Sequence, residues 1–390
     1  MRRYSAEVER KIRLQAQVRD WTRAGLLRAD QGAALRAELR TDLRRTNDLL
    51  RAALALFTAI VVAAAVFLMS TAFEIRDEVT TGAVCLIAAV ACVALAEYLV
   101  GAFQLYRHGI EEALAAAAVV LVGVGVADVS HASPFLVWSR VWLIVASIAA
   151  CAAYVRFGFL YAAIGAVVFA AFTAFQFQLA EPVSRTIAAA VFGAAFLIAR
   201  TARIGHGDEF PGDEYATLQA AACAGTYLVL NVHISDAIPW IGLGVPSVPA
   251  WFYWGTYAAT WLIPAAALAT AIREKDRALL TVSIALALCT LVTNKPYLGM
   301  TRQSWDPMIL GALLAGGALA LRRWLDAGPS GQRGGFTAAR ILARDRDILS
   351  ALATASVAWH ARAHEPPPQQ PPSSDFAGGR SGGAGGGATY

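Results

Sequence analysis

Charged side chains are scarce in this chain of 390 residues. Asp, Glu, Lys and Arg make up 16% of it, hydrophobic residues make up 57%, and the mean hydropathy is +0.50. A soluble globular protein carries about 25% charged residues. The charges that are present collect at the two ends of the chain and in short gaps between long apolar runs. This distribution is typical of an integral membrane protein.

Several motifs of known chemistry are also missing. The five cysteines form no CxxC pair and lie within apolar runs, which predicts core positions and excludes a disulfide or metal framework. There is no HExxH motif and no buried nucleophile–base pair, so the sequence argues against a membrane-embedded enzyme, and it gives no support for a cofactor. The first fifty residues are charged throughout, so we also expect no cleaved signal peptide.

The net charge of +5 does not indicate a nucleic-acid partner. The basic excess lies mostly in the two tails, and the cytoplasmic flanks of membrane helices carry Arg and Lys for another reason, the positive-inside rule. We therefore expect the lipid bilayer as a partner and no nucleic acid.

Ten apolar runs are long enough to cross a bilayer, which needs about 20 residues of helix. The fold class we predict is all-α, a polytopic membrane helix bundle of about ten transmembrane helices within residues 51–326. The predicted segments are 52–72, 81–103, 111–128, 135–155, 157–178, 185–202, 215–232, 250–272, 277–294 and 306–325.

The distribution of basic residues predicts the orientation. The tail up to Arg51 carries 13 Lys and Arg, and the tail from Arg322 carries 8. Ten crossings place both tails on one side, and cytoplasmic segments hold the excess of basic residues. We expect both termini in the cytoplasm and the protein in the inner (plasma) membrane.

The two tails differ in their expected structure. We predict that residues 1–50 form a cytoplasmic amphipathic helical hairpin, with apolar stripes at Leu14, Val18 and Trp21 and at Leu35, Leu39 and Leu43. This hairpin either packs on the bundle or recruits a protein partner. We predict that residues 327–390 form a cytoplasmic tail, helical to about residue 362 and then disordered, because the Pro-rich and Gly-rich end cannot bury a core.

Segments three and seven have similar ends. Residues 109–113 and 212–216 share Gly, Glu and Ala, whereas residues 128–134 and 233–239 share Ser, Ala and Pro. The two segments run in the same direction, which indicates a parallel internal repeat, and transporters often bind substrate where such repeats meet. The alternative is a chance similarity between two Ala-rich helices.

Two groups of polar residues are candidate sites. Glu97, His108, Glu111 and Glu112 lie near the inner face, where clustered carboxylates suit an ion or a proton. The alternative is that they are hydrated in the headgroup region, with Arg107 as counter-ion.

The second group is an outer polar cluster of Asp128, His131, His233 and Asp236. Two His and two Asp can bind a divalent metal if the helices are neighbours, although such groups more often end a membrane helix and face water.

A short N-terminal pattern resembles an uncharacterised family of bacterial multi-pass membrane proteins, known as a domain of unknown function. The family opens with Trp, then Gly-Leu-Ile, then Gln, and the matching positions here are Trp21, Gly25-Leu26-Leu27 and Gln31. The family ending is similar to residues 305–307, Trp324 and residues 335–338. The resemblance implies a bacterial inner-membrane location and supplies no activity and no catalytic residues.

Two hypotheses of function remain open. The first is a non-enzymatic integral inner-membrane protein whose residues 1–50 recruit a partner. The second is a transporter or channel for a small solute or ion, built on the parallel repeat. The sequence leaves the substrate, the oligomeric state and the choice between them undetermined.

Overall fold

The structure is a computed structural model, and its described part is almost entirely helical. It describes residues 6–23, 25–41, 43, 46–130, 140–177, 179–205, 212–234, 248–274, 276–300, 303, 306–328, 332–333 and 336–337. The chain divides into two compact units, residues 1–17 with 33–321, and residues 18–32 with 322–390.

Twelve α-helices occur within these described ranges. They are α1 (Ala6–Arg23), α2 (Ala29–Glu38), α3 (Asp48–Ala72), α4 (Glu78–Ala102), α5 (Ile110–Val129), α6 (Arg140–Phe157), α7 (Leu160–Thr173), α8 (Glu181–Gly205), α9 (Gly212–Leu230), α10 (Ala250–Glu274), α11 (Arg277–Tyr297) and α12 (Asp306–Asp326). A short 3-10 turn, Ala174–Phe177, continues α7.

Eight of these helices are long and apolar enough to cross a membrane, judged by length and composition. They are α3 to α6, α7 with its 3-10 turn, α8, α10 and α11, and they correspond to eight of the ten predicted segments. The protein is therefore an all-α, multi-pass membrane protein.

The predicted segments seven and ten, α9 and α12, are helical but are not among the eight. Helix α9 contains Glu214 and Gln219, and α12 contains Asp306 and Arg322. These polar residues lower the mean hydropathy of both helices. The predicted total of ten thus rests on these two helices.

Helices α5 and α9 are the two most enclosed helices of the larger unit. Helix α5 packs against α3, α4 and α6, whereas α9 packs against α7, α8, α10 and α11. Helix α3 lies at the other extreme, because its most apolar stretch has no buried residue. In a bilayer, such a helix offers its side chains to lipid.

Helices α4 and α5 approach each other closely at a pair of glycines. A Cβ atom added to Gly125 would lie 2.8 Å from the carbonyl oxygen of Gly82 and 2.7 Å from Cγ of Leu86. A Cβ atom added to Gly82 would lie 2.8 Å from the carbonyl oxygen of Gly125. Small residues allow membrane helices to pack backbone to backbone in this way.

Replacing Gly125 with alanine is expected to lower the free energy of unfolding by about 1–3 kcal/mol, the usual cost of overpacking. The clash involves a backbone oxygen, so a rotamer change cannot relieve it. Gly193→Ala on α8 is the matched control, because nothing lies within 4 Å of its added Cβ atom. Equal thermal stability of the two variants in detergent would contradict the close contact.

The N-terminal helix uses part of its apolar side for packing within the larger unit. Ile12 is buried in one cluster with Ala96, Leu114 and Phe157, and Val8 packs against the same cluster. Helices α1 and α2 both form, but their arrangement as a cytoplasmic hairpin stays a prediction.

Side-chain caps begin several helices. Asn47 accepts a hydrogen bond from the backbone N–H of Leu50 at the start of α3, and Asp77 accepts one from Thr80 at the start of α4. The hydroxyl and the backbone N–H of Thr80 hold the pKa of Asp77 below its ordinary value, because both hydrogen bonds favour the carboxylate. Such caps satisfy N–H groups that lack a partner within the helix.

The C-terminal tail is described at only a few positions beyond α12. Gln332–Arg333 pairs antiparallel with Phe336–Thr337, so these four residues, within the part of the tail predicted as helical, form two short strands instead. The rest of the predicted helix and the predicted disordered end lie outside the described residues.

Candidate functional site

Among the described residues, six ion pairs between arginines and carboxylates lie at one end of the bundle, which we call the charged end. It is the end where α3, α5 and α9 begin and where α4, α6, α8 and α10 finish. The pairs are Arg51–Glu112, Arg156–Glu97, Arg107–Glu214, Arg200–Glu274, Arg203–Glu274 and Arg203–Asp276.

Glu111 is the most buried carboxyl group of this end. Its side chain is fully buried, and Oε1 accepts a hydrogen bond of 2.7 Å from the backbone N–H of His108. Its second oxygen, Oε2, makes no hydrogen bond to any described residue, and neither does Nδ1 of His108. Two of the four residues predicted for the ion or proton site, Glu111 and His108, are thus in direct contact.

The other two predicted residues are held by arginines. Glu112 is buried and accepts two hydrogen bonds from Arg51, with Nε at 2.6 Å from Oε2. Glu97 accepts two from Arg156, with Nη2 at 2.9 Å from Oε2. Fork-to-fork pairs of this kind fix both partners in orientation. These ion pairs therefore connect α3 to α5 and α4 to α6.

Arg107, the counter-ion considered for the cluster, pairs elsewhere. Its guanidinium contacts Glu214 at the start of α9. This ion pair connects the turn before α5 to α9, the two helices whose ends are similar in sequence. The counter-ions of the cluster are instead Arg51 and Arg156.

A second charged group lies beside the end of α8. Arg203 contacts Asp276, which is buried and also caps α11 by accepting from the N–H groups of Ala278 and Leu279. Arg200 donates to Glu274 at 2.7 Å. This group joins α8 to the connection between α10 and α11.

A buried network of hydroxyl and amide groups lies towards the other ends of α9, α10 and α11, and we call it the hydroxyl network. Its members are Tyr227, Asn231, Tyr253, Thr256, Thr260, Thr290, Thr293 and Tyr297. Nδ2 of Asn231 donates to Tyr227 at 3.0 Å and to Thr293 at 3.2 Å. The hydroxyl of Tyr297 accepts from the N–H of Val232 at 2.8 Å.

His233 lies at the edge of the hydroxyl network. Its Nε2 is 3.0 Å from the hydroxyl of Tyr253, and that hydroxyl donates to the carbonyl of Tyr297 at 2.9 Å. The tautomer of His233 decides which of the two groups donates in this contact. His233 thus contacts two tyrosines from α10 and α11.

The predicted outer polar cluster is described only in part. Asp128 lies on α5 against α4, where its Cβ would be 2.9 Å from a Cβ added to Gly82. His233 lies against Tyr253 and Tyr297. His131 and Asp236 lie outside the described residues. Within the part of the chain that the structure describes, no group of three His, Cys, Asp or Glu residues could hold a metal ion.

The sequence interpretation missed the hydroxyl network, although a signal for it exists. Thr256 and Thr260 on α10, and Thr290 and Thr293 on α11, recur at helical spacing within apolar runs. Polar residues on one face of a membrane helix point to the interior of a bundle. Reading the polar stripes as well as the charges would have identified these positions.

No family model matches this chain, and no curated protein or solved structure matches it either. The resemblance carried by Trp21, Gly25-Leu26-Leu27 and Gln31 therefore stays a prediction. The function has to be argued from the geometry of the bundle alone.

Proposed function

We propose that this protein is an integral membrane transporter for a small solute or ion, with α5 and α9 at the centres of two parallel repeats. The observation that carries the proposal is Glu111, a fully buried carboxyl group with one oxygen that has no described partner. An ionisable group inside a membrane bundle is costly and is by default a functional site. A carboxyl group with one oxygen that makes no hydrogen bond to the described residues can take up and release a proton or a small cation.

The helix contacts support two repeats of similar construction. Helix α5 packs on α3, α4 and α6 in the first half, and α9 packs on α7, α8 and α10 in the second. Helix α9 also packs on α11, a contact with no comparable counterpart between α5 and α7. The contacts of α3 with α4 and of α6 with α7 also recur, as α7 with α8 and α10 with α11. Each of the helices α3 to α6 thus corresponds to the helix four positions later in the chain.

The residues of α4 and α8 support the same correspondence. Each helix has 25 residues, and Glu97 and Arg200 are both the twentieth. Glu97 pairs with the end of α6, and Arg200 pairs with the end of α10. The buried faces are also in phase, at Cys85, Ala89, Cys92 and Ala96 and at Ala188, Phe192, Ala195 and Ala199.

In this proposal α9 and α12 cross the membrane too, which gives ten crossings and places both termini on the side of the charged end. The arginines there favour the cytoplasm under the positive-inside rule. The resemblance of the N-terminal pattern to a bacterial family supports a location in the bacterial inner membrane. A central helix can be more polar than its neighbours, because protein surrounds it. Helix α9 contacts four other helices, in keeping with that role.

The partner-recruiting hypothesis has less support from the geometry. It needs a free apolar side on residues 1–50. Trp21 and Leu35 of the predicted stripes are exposed, but Val8 and Ile12 pack in a cluster with α4, α5 and α6. That side of α1 already has a partner within the chain.

The proposal is tested by charge movement in proteoliposomes on a sensor surface, against a panel of ions, amino acids, sugars and pH jumps. We expect a saturable current from the native protein and none from Glu111→Gln, which keeps the size of the side chain and removes its charge. Glu74→Gln is the control, because Glu74 lies exposed in the turn between α3 and α4. A pH-sensitive dye inside the vesicles detects electroneutral proton exchange.

Silence of the native protein in both readouts, with insertion demonstrated, would overturn the proposal. A full response from Glu111→Gln would also overturn the role of this carboxyl group.

A further inference from the structure

A cavity of about 370 Å³ lies between α4, α5 and α6. Five of its eleven lining residues are alanines, Ala115 and Ala118 on α5 and Ala149, Ala152 and Ala153 on α6. Ligand pockets in proteins measure about 300–1,000 Å³, so the cavity is large enough for a slender ligand. Its lining is almost wholly apolar, and its one charged feature is the pair of Glu97 and Arg156.

The cavity exists because small side chains lie where three helices meet. Helix α5 packs on both α4 and α6, and the alanines leave the space between them unfilled. The ion pair of Glu97 with Arg156 bridges α4 and α6 at the charged end. The result is a groove with α5 as its floor, α4 and α6 as its walls and a charged end.

The mouth of the groove faces the bilayer. On α6, Ala152 is exposed. It lies four residues after Ile148 and three before Val155, so the three share one face of the helix. Ile148 and Val155 are 65% and 58% exposed. On α4, Val93 lines the cavity and is itself exposed. Exposed apolar side chains on membrane-spanning helices contact lipid chains, so the groove opens directly onto hydrocarbon.

The arginine at the end of the groove is partly exposed. Arg156 is 42% exposed on its side chain, and Arg107 and Arg200 at the same end of the bundle are each 40% exposed. Basic pockets between membrane helices on the cytoplasmic side bind anionic headgroups. The groove therefore combines a place for a hydrocarbon chain with an arginine at headgroup level, which keeps part of its side chain exposed beside its ion pair with Glu97.

We propose that this groove binds one acyl chain of an anionic phospholipid, with the phosphate beside Arg156. The site is separate from Glu111 and does not depend on transport. The lipid fills space that the alanines leave empty and joins α4 to α6 along their length. The phosphate of the headgroup lies beside the Glu97–Arg156 pair at the charged end of the groove.

The test uses the full chain in nanodiscs of phosphatidylcholine that contain phosphatidylglycerol with a photoactivatable acyl chain. After illumination, labelled peptides are located by mass spectrometry. We expect labelling concentrated within 115–122 and 149–157. Ala152→Phe closes the mouth and is expected to reduce it about tenfold, the change that 1.4 kcal/mol of lost binding produces. Ala64→Phe, on the exposed face of α3, is the matched control and is expected to leave labelling unchanged.

A second arm tests the headgroup. The double variant Glu97→Gln with Arg156→Gln removes both charges and keeps two side chains that can hydrogen-bond. It is expected to label equally with phosphatidylglycerol and with a phosphatidylcholine probe, whereas the native protein prefers phosphatidylglycerol. Even labelling of all exposed helix faces would show boundary lipid only and overturn the proposal. Unchanged labelling of Ala152→Phe, or equal labelling of the native protein by a free fatty acid, would overturn it too.

Discussion

Replacing Asn231 with leucine is expected to lower the free energy of unfolding by about 3 kcal/mol, because each buried polar group left without a partner costs about 1–3 kcal/mol. The side chain of Asn231 is fully buried and makes three hydrogen bonds. It donates to Tyr227 and to Thr293, and it accepts from the N–H of His233. Leucine is close in size and can make none of them. The measurement is an unfolding titration of the purified protein in mixed micelles.

Asn294→Leu provides the matched comparison. Asn294 is half-buried and accepts one hydrogen bond, of 2.9 Å, from the hydroxyl of Tyr257. Its loss is expected to cost about 1 kcal/mol, the usual net value of one hydrogen bond. If both variants lost the same small amount, the hydroxyl network would contribute no more than isolated hydrogen bonds do.

Replacing Asp276 with alanine is expected to be about as severe, at about 3 kcal/mol or more, the range for removing one partner of a buried ion pair. Asp276 is buried, contacts Arg203 and caps α11 through Ala278 and Leu279. Alanine removes the ion pair and the cap together. The same unfolding titration measures the loss.

Asp276→Asn separates the two contributions. Asparagine caps a helix about as well as aspartate, so this variant loses the charge and keeps the cap, and its expected destabilisation is about 1 kcal/mol smaller. Asp326→Ala is the surface control, because the contact of Asp326 with Arg322 is exposed and 3.7 Å long and is worth under about 0.5 kcal/mol. A native-like Asp276→Asn variant would show that the charge contributes little.

Hydropathy alone predicted the apolar helices well, because burial in lipid depends on local sequence. The third segment, predicted at 111–128, is Ile110–Val129 in the structure. Hydropathy is less informative for α9, because Glu214 and Gln219 lower the mean hydropathy of a helix that is surrounded by protein. A sequence window cannot register which neighbours a helix will have.

The pairing of charges could not be predicted for the same reason. Glu97 and Arg156 are 59 residues apart, and Arg51 and Glu112 are 61 apart. Proximity in sequence favoured Arg107 as the counter-ion of the cluster, but its partner is Glu214, 107 residues further on. Local spacing did bring His108 and Glu111 together, because three residues span one turn.

The backbone contact between Gly82 and Gly125 limits how the bundle can move. Helices that touch through side chains can slide, because side chains change rotamer, but two backbones in contact have no such freedom. We therefore expect α4 and α5 to move together in any conformational change. If the proposed transport cycle exposes Glu111 to alternate sides of the membrane, the movement would have to occur between other helices. The ion pair of Arg107 with Glu214 connects the turn before α5 to α9, and a movement between these two helices would break and re-form it.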